Sequence, residues 1–383
     1  MARTRTSHRV GILGAGIIGL SAAYELAVRR NVCVTVFDVR PPGRGASWAA
    51  AGMLAPAFEA AAEPGVHPRL FDLCLQSAAL WPSFAAELTA RSGGPVGFDT
   101  SASLAVAPDS RQAARLERIR HVLEARGIAH TVLDGAALRA LEPALSQSIP
   151  GGLELPTDMR VHNRTFLGAL LGVLRAAANV RFETGPAPLR YEPGRPVLAR
   201  HDAILAAAGW QTAGIRVEQD GQLHSLVNWD VSLGAIDCHS GQMLAVQAGP
   251  GTPQRVVRSG HVYLVPRAEQ VVIGATTEPG RVLETPEPEA IAGLKAEAAH
   301  LCPGLAAART LESWAGVRPG TPDHAPLLGR TAMPGLFVAA GHYRNGILLA
   351  PVTAQILADQ ILGEDAGELA AGFSPGRAFA ATA

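Results

Sequence analysis

The chain has 383 residues, enough for two domains, with 33 basic and 33 acidic side chains and a formal net charge of zero. That balance argues against a polyanion such as nucleic acid as partner, which calls for a clustered basic excess. Hydrophobic residues make up 48 %, but no uncharged apolar run reaches the ~18 residues of a membrane helix, so the expectation is a soluble, cytoplasmic protein with no membrane partner.

Basic Met1–Arg9 followed by apolar Val10–Ala23 imitates a secretory signal. Glycines at 14, 16 and 19 inside the apolar stretch favour another reading. RVGIL (9–13) reads as a buried strand, Gly14–Gly19 as a tight turn, Ile17–Arg29 as a helix and CVTVFD (33–38) as a second strand. In Gly14-Ala15-Gly16-Ile17-Ile18-Gly19, the first glycine permits the turn, the second lets a pyrophosphate approach the backbone, and the third lets helix and strand pack closely. Asp38, with Val39 after it, ends the second strand where a carboxylate holds adenosine ribose hydroxyls. The bland alternative is a glycine-rich turn of some other α/β fold.

Helical patterns follow at 69–91 and 109–126, and 101–107 alternates like a strand with one wet face. A helix is expected at 166–178, a short strand at 180–183, and a wholly buried strand at 201–209 ending in Gly209. Residues 242–247, 261–267 and 270–277 read as strands, the last pair joined by Ala268 and Glu269 as an antiparallel hairpin. An amphipathic helix is expected at 287–300, a buried strand at 336–340, and, after Gly341, a helix at 346–362. Residues 366–383 carry no core pattern and predict a frayed tail. The four cysteines (33, 74, 238, 302) form no CxxC pair, the twelve histidines no ligand spacing, and no GxSxG elbow occurs, so neither a metal site nor acyl transfer is expected.

The fingerprint does not separate FAD from NAD. Arg44-Gly45-Ala46-Ser47 offers amides and a hydroxyl to the same pyrophosphate. The last strand, Gly341 and the last helix aim a second helix N-terminus at the site, which favours negative charge on a reduced flavin. Both tip the reading to FAD, against an ordinary βα connection. The fold class is therefore α/β: an FAD-binding Rossmann-like domain of discontinuous segments beside an antiparallel-sheet α+β substrate domain.

Five stretches carry a more specific likeness: SWAAAGMLAP (47–56), HVYLVPR (261–267), VVIGATTE (271–278), WAGVRPGTPDHAPLLG (314–329) and AAGHYRNGILLAP (339–351). They resemble the bacterial glycine oxidases of thiamine biosynthesis, within the D-amino-acid oxidase and sarcosine oxidase superfamily. The resemblance implies an FAD domain of the glutathione-reductase type over 1–82, 153–215 and 312–365, and a substrate domain over 83–152 and 216–311. It implies that Arg318 clamps the substrate carboxylate, a task for which the planar guanidinium fork is suited; a surface ion pair is the competing reading. Tyr263 matches a pocket tyrosine, against a half-buried sheet aromatic, and strand alternation makes His261 a second lining residue.

By the same matching Arg344 and Asn345 lie close to flavin and substrate, with Gly341, His342, Gly346, Ile347 and Leu348 around them. Ala51, Gly52 and Met53 lie near the isoalloxazine face, although Met53 also reads as ordinary core packing. Two departures concern the substrate rather than the flavin: Ser240 where the family usually has a basic residue, and Thr277 where a methionine occurs. The implied activity is oxidative deamination of glycine or a close relative, with oxygen as acceptor and a homo-oligomer, by resemblance a tetramer. The alternatives are an oxidase or dehydrogenase for a D-amino acid, sarcosine or a cyclic imino acid, and a non-catalytic flavin-binding assembly subunit.

Overall fold

The computed structural model describes residues 8–59, 65–377 and 379. The glycine fingerprint opens a six-stranded sheet in the order Leu327–Arg330, Leu336–Ala340, Ala203–Ala206, Arg9–Leu13, Cys33–Asp38, Val180–Thr184. All neighbours are parallel except the first pair. Parallel strands need both faces covered, which explains the uncharged, buried runs at 10–13, 203–206 and 336–340. On one face lie the helices Ile17–Tyr24, Leu70–Ser92, Asn163–Ala176 and Ala350–Leu362, sharing a core that includes Ile12, Trp81, Phe166 and Leu357. The other face packs Leu13, Ile204 and Val338 against Leu189, Val217 and Leu233.

The second body is a mainly antiparallel sheet of nine strands, among them Asp237–Gln247, Val262–Arg267, Gln270–Gly274 and Thr310–Gly320. The expected hairpin forms, with Arg267 opposite Gln270. The helix Pro288–Leu301 seals one face through Leu294, Ala298 and Leu301.

The structure redraws several expected boundaries. Thr310–Gly320 pairs along most of its length with Asp237–Gln247, so a boundary at 312 would cut a strand of the antiparallel sheet. Leu70–Ser92 runs through the 82/83 boundary as one helix of the parallel-sheet core. Arg216–Gln219 and Gln222–Ser225 join Leu189–Glu192 and Arg195–Leu198 in a small sheet against the nucleotide-binding side. Ser103–Val106 has no wet face: it lies between Val257–Ser259 and Gly151–Leu155, and all four residues are buried. The helix expected at 346–362 begins at Ala350, after a 3-10 turn at Tyr343–Asn345, and a short helix at Glu368–Ala371 follows it.

The frayed tail is corrected for residues 366–377, the rest of it lying largely outside the described residues. Phe373 is fully buried, its carbonyl accepts from Leu328 N–H, and the Arg377 guanidinium bonds the Asp323 carboxylate at 2.8 and 2.9 Å. One aromatic and one buried ion pair suffice to dock a segment whose composition shows no periodic pattern.

Candidate active site

Between the two sheets runs a cavity of about 910 Å³, at the upper end of the range for ligand pockets. One end is built by the glycine turn. Gly14 sits at φ +116°, and a Cβ there would lie 2.3 Å from the Ala207 carbonyl oxygen. A Cβ on Gly19 would lie 2.0 Å from the Gly14 oxygen. Those two glycines serve the fold. A Cβ on Gly16 would meet only Ser47 Oγ, at 3.3 Å, so this glycine keeps the cavity floor open. Ser47 Oγ accepts from Ile17 N–H (2.8 Å), and Asp38 accepts from Ala15 N–H (2.7 Å) and Arg40 N–H (2.9 Å). The turn is thus pre-formed, with Gly14, Gly16, Ile17, Ile18, Asp38, Val39, Arg44, Ala46 and Ser47 all on the wall.

The middle of the cavity is lined by Ala51, Gly52, Met53 and Gly209, facing His342, Asn345, Gly346 and Ile347. Gly52, at φ +87°, leaves 1.9 Å between a hypothetical Cβ and the Val161 oxygen, so the chain turns there only because the residue is glycine. His342 is buried, bonded to Thr353 Oγ1 at 3.1 Å, and burial pushes its pKa down to about 3, so the ring is neutral. Gly19, Gly341 and Leu348 do not line the cavity. Gly341 (φ +78°) passes the chain close to Thr321, while the Leu348 carbonyl is bonded by Ser77 and Trp81 and its side chain lies in the core.

The far end belongs to the antiparallel sheet. Arg318 stands opposite His239, and its Nη1 donates to the carbonyls of Thr276 (3.2 Å) and Ser240 (3.4 Å). A Cβ on Gly241 would lie 2.3 Å from that nitrogen, so this glycine makes room for the guanidinium. Among the described residues Arg318 forms no ion pair. The surface-pair reading therefore has no partner to rest on. Tyr263 leans over Gly274, where a Cβ would lie 2.4 Å from the phenol oxygen. Burial raises the Tyr263 pKa, against the opposing pull of the Arg318 guanidinium beside it, so the phenol stays a donor at neutral pH. A charged fork and a neutral hydroxyl thus share one spot, the equipment for holding a carboxylate.

Arg344 also lines this end, with Nη2 3.3 Å from Thr277 Oγ1. His261 reaches only the rim: its half-exposed ring lies 3.2 Å from the Glu297 carboxylate. Sequence reasoning missed a buried pair beside Tyr263. Arg258, on the neighbouring strand, is 3.0 Å from Glu59 and stacks on Phe58 at 3.6 Å; both pair members line the cavity. Burial opposes the charge on Glu59, but Arg258 and Arg344 hold its pKa below the ordinary value. Nothing in VVRSG or AFEA announces this contact, which the fold makes across 199 positions.

A family model described as FAD dependent oxidoreductase, DAO, matches residues 9–360. The chain belongs to that family of FAD-dependent oxidoreductases. It is 33 % identical to the glycine oxidase of Geobacillus kaustophilus, over 93 % of each chain. It is 32 % identical to the bifunctional protein ThiO/ThiG of Synechocystis over 99 % of this chain and 55 % of that one. A crystal structure of glycine oxidase from Geobacillus kaustophilus superposes with a TM-score of 0.85 at 31 % identity, covering 98 % of this chain and all of the other. Family membership makes FAD the cofactor, and the residues present fit it: an uncrowded floor at Gly16, a long lined trough, and a polar far end. No described helix is long and apolar enough to cross a membrane.

Proposed function

We propose that the protein oxidatively deaminates glycine or another small amino acid, with oxygen as electron acceptor. The observation that carries this reading is the Arg318–Tyr263 pair at the end of the cavity the glycine fingerprint opens. Gly14–Ile18 and Ser47 would hold the pyrophosphate, Asp38 the ribose, and Ala51–Met53 with His342–Ile347 the ring system. When bound, FAD would supply the two-electron acceptor for the substrate's hydride and pass those electrons to oxygen, which becomes hydrogen peroxide, while the amino acid, oxidised to an imine, hydrolyses to oxo acid and ammonia.

This chain's residues do the binding and orienting. Arg318 takes the substrate carboxylate through paired hydrogen bonds, and Tyr263 donates a further one. Fixing that end limits the orientations open to the α-carbon. The small residues at 49–52 leave room for the substrate, and the apolar neighbours Met243 and Trp314 exclude water. No side chain is needed as a strong base, because the amine reacts as the neutral molecule. The likeness to glycine oxidases supports glycine as substrate, and the thiamine context of that resemblance supports an imine product consumed in thiazole formation.

Anaerobic titration with glycine, sarcosine and D-alanine, following the flavin absorbance, tests the proposal. Glycine should bleach the flavin at the lowest concentration and give peroxide in air. Preferential bleaching by sarcosine or D-alanine refutes the glycine assignment, bleaching without peroxide refutes the oxidase, and no bleaching by any amine refutes the catalytic reading.

A further inference from the structure

Arg267 is a buried arginine that the reaction above does not use. It is 8 % exposed, has no ion pair among the described residues, and its Nε and Nη1 are buried without partners. A buried charge in that condition is strongly destabilising. Desolvation lowers its pKa to about 10, which still leaves it charged at neutral pH. Its remaining nitrogen, Nη2, donates to Asn163 Oδ1 at 2.6 Å and reaches the carbonyls of Ala51 (3.2 Å) and Ala50 (3.4 Å).

Those contacts belong to a larger pattern. Six consecutive carbonyls, 47 to 52, each accept a hydrogen bond. Asn163 Nδ2 donates to Ser47 O (2.7 Å) and Trp48 O (3.1 Å), and Trp314 Nε1 to Ala49 O (2.9 Å). Arg267 takes Ala50 and Ala51, and Val161 N–H donates to Gly52 O at 2.8 Å. In a trans peptide the N–H of each residue points opposite to the carbonyl before it. Binding the carbonyls of Ala50 and Ala51 to Arg267 therefore turns the N–H groups of Ala51 and Gly52 the other way. Arg267 lies outside the cavity lining, and Ala51 and Gly52 lie on it. No hydrogen bond among the described residues occupies either N–H.

We infer that Arg267, with Asn163, is a positioning residue that fixes residues 47–52 with two backbone donors facing the flavin, so that the strip favours the reduced, electron-rich form of the cofactor. The buried charge behind the strip acts in the same sense, since a nearby cation stabilises negative charge in a low-dielectric surrounding. A second guanidinium, partly exposed, backs the same segment: Arg164 stacks on Trp48 at 3.7 Å and pairs with Glu312 at 2.6 Å. Without Arg267 the Ala50 and Ala51 peptides lose the contacts that define their orientation. The inference rests on the flavin assignment alone and not on the identity of the substrate.

The test uses Arg267→Met, which keeps the volume and removes charge and donors, and Arg267→Lys, which keeps the charge. The readouts are the dissociation constant of FAD from titration of apoprotein and the midpoint potential of the holoenzyme. Arg267→Met should weaken FAD binding at least tenfold and disfavour the reduced form a further tenfold, a fall of about 30 mV for a two-electron couple. Arg267→Lys should recover most of the potential. Wild-type values of both readouts in Arg267→Met overturn the inference, as does a potential that falls equally in Arg267→Lys. If Arg267→Met does not fold, Asn163→Ala removes Arg267's shortest hydrogen bond and the anchors of Ser47 and Trp48, and wild-type readouts there overturn it equally. A wild-type protein that takes up FAD but oxidises no amino acid would sink the proposed reaction and leave this inference standing.

Discussion

Replacing Arg318 with alanine should cost the enzyme its hold on the carboxylate and little else. An exposed ion pair would be worth at most about 1 kcal/mol. Arg318 is half-buried at the end of a cavity, without an ion-pair partner among the described residues, so its charge is available to the substrate. Hydrogen bonds to charged groups contribute roughly 1.5–3 kcal/mol each. Two of them, discounted for water that refills the truncated site, come to about 3–4 kcal/mol. At 1.36 kcal/mol per tenfold this predicts a fall in kcat/KM of roughly 10²–10³-fold. Most of it should appear in KM, because the carboxylate is held alike in ground and transition states. Arg318→Lys, a point charge instead of a fork, should fall between. The assay is initial-rate peroxide production with flavin content checked for each variant, alongside a simple amine lacking a carboxylate. The preference for amino acid over amine should collapse in Arg318→Ala. A variant that keeps kcat/KM within about fivefold, or keeps that preference, refutes the carboxylate role.

Tyr263→Phe removes one neutral donor and should raise KM about five- to tenfold with kcat little changed, by steady-state kinetics. Gly16→Ala and Gly14→Ala should part company. The first should fold and bind FAD more weakly in apoprotein titrations, whereas the second, forced against the Ala207 carbonyl at positive φ, should lose thermal stability outright. Asp158 is fully buried, accepts from Ala57 and Phe58 N–H at 2.7 and 3.0 Å, and its pKa is raised to about 7, chiefly by burial. From its ordinary value of 3.8 up to about 7, the unfolded chain has released this proton while the folded one holds it. Stability should therefore fall as pH rises through that window, by up to about 4 kcal/mol at 1.36 kcal/mol per unit. Urea unfolding of wild type and Asp158→Asn at about pH 5 and about pH 7 checks this, the asparagine variant lacking the slope.

What could be read from the chain alone is what local chemistry enforces. Gly14–Gly19 between an apolar strand and a helix has one economical reading, and Gly14 and Gly19 are positions where any Cβ collides with backbone. The hairpin at 268–269 and the Leu336–Ala340 strand follow from period and loop length for the same reason. Family motifs drew attention to Arg318 and Tyr263.

The pairings made across large sequence separations were invisible. Glu59 meets Arg258, Asn163 and Arg267 grip the carbonyls of residues 47, 48, 50 and 51, and Arg377 closes on Asp323, each through contacts set only when distant segments of the chain pack together. His261 shows the converse: alternation put it on the Tyr263 face, but it precedes the strand and turns to Glu297 on a helix that periodicity could not place in space. Backbone sterics act over a few residues and leave a signature in sequence. Burial and the partner of a charge are properties of the packed chain, and so is the direction a peptide N–H faces at the cavity. Those were decided by the tertiary structure.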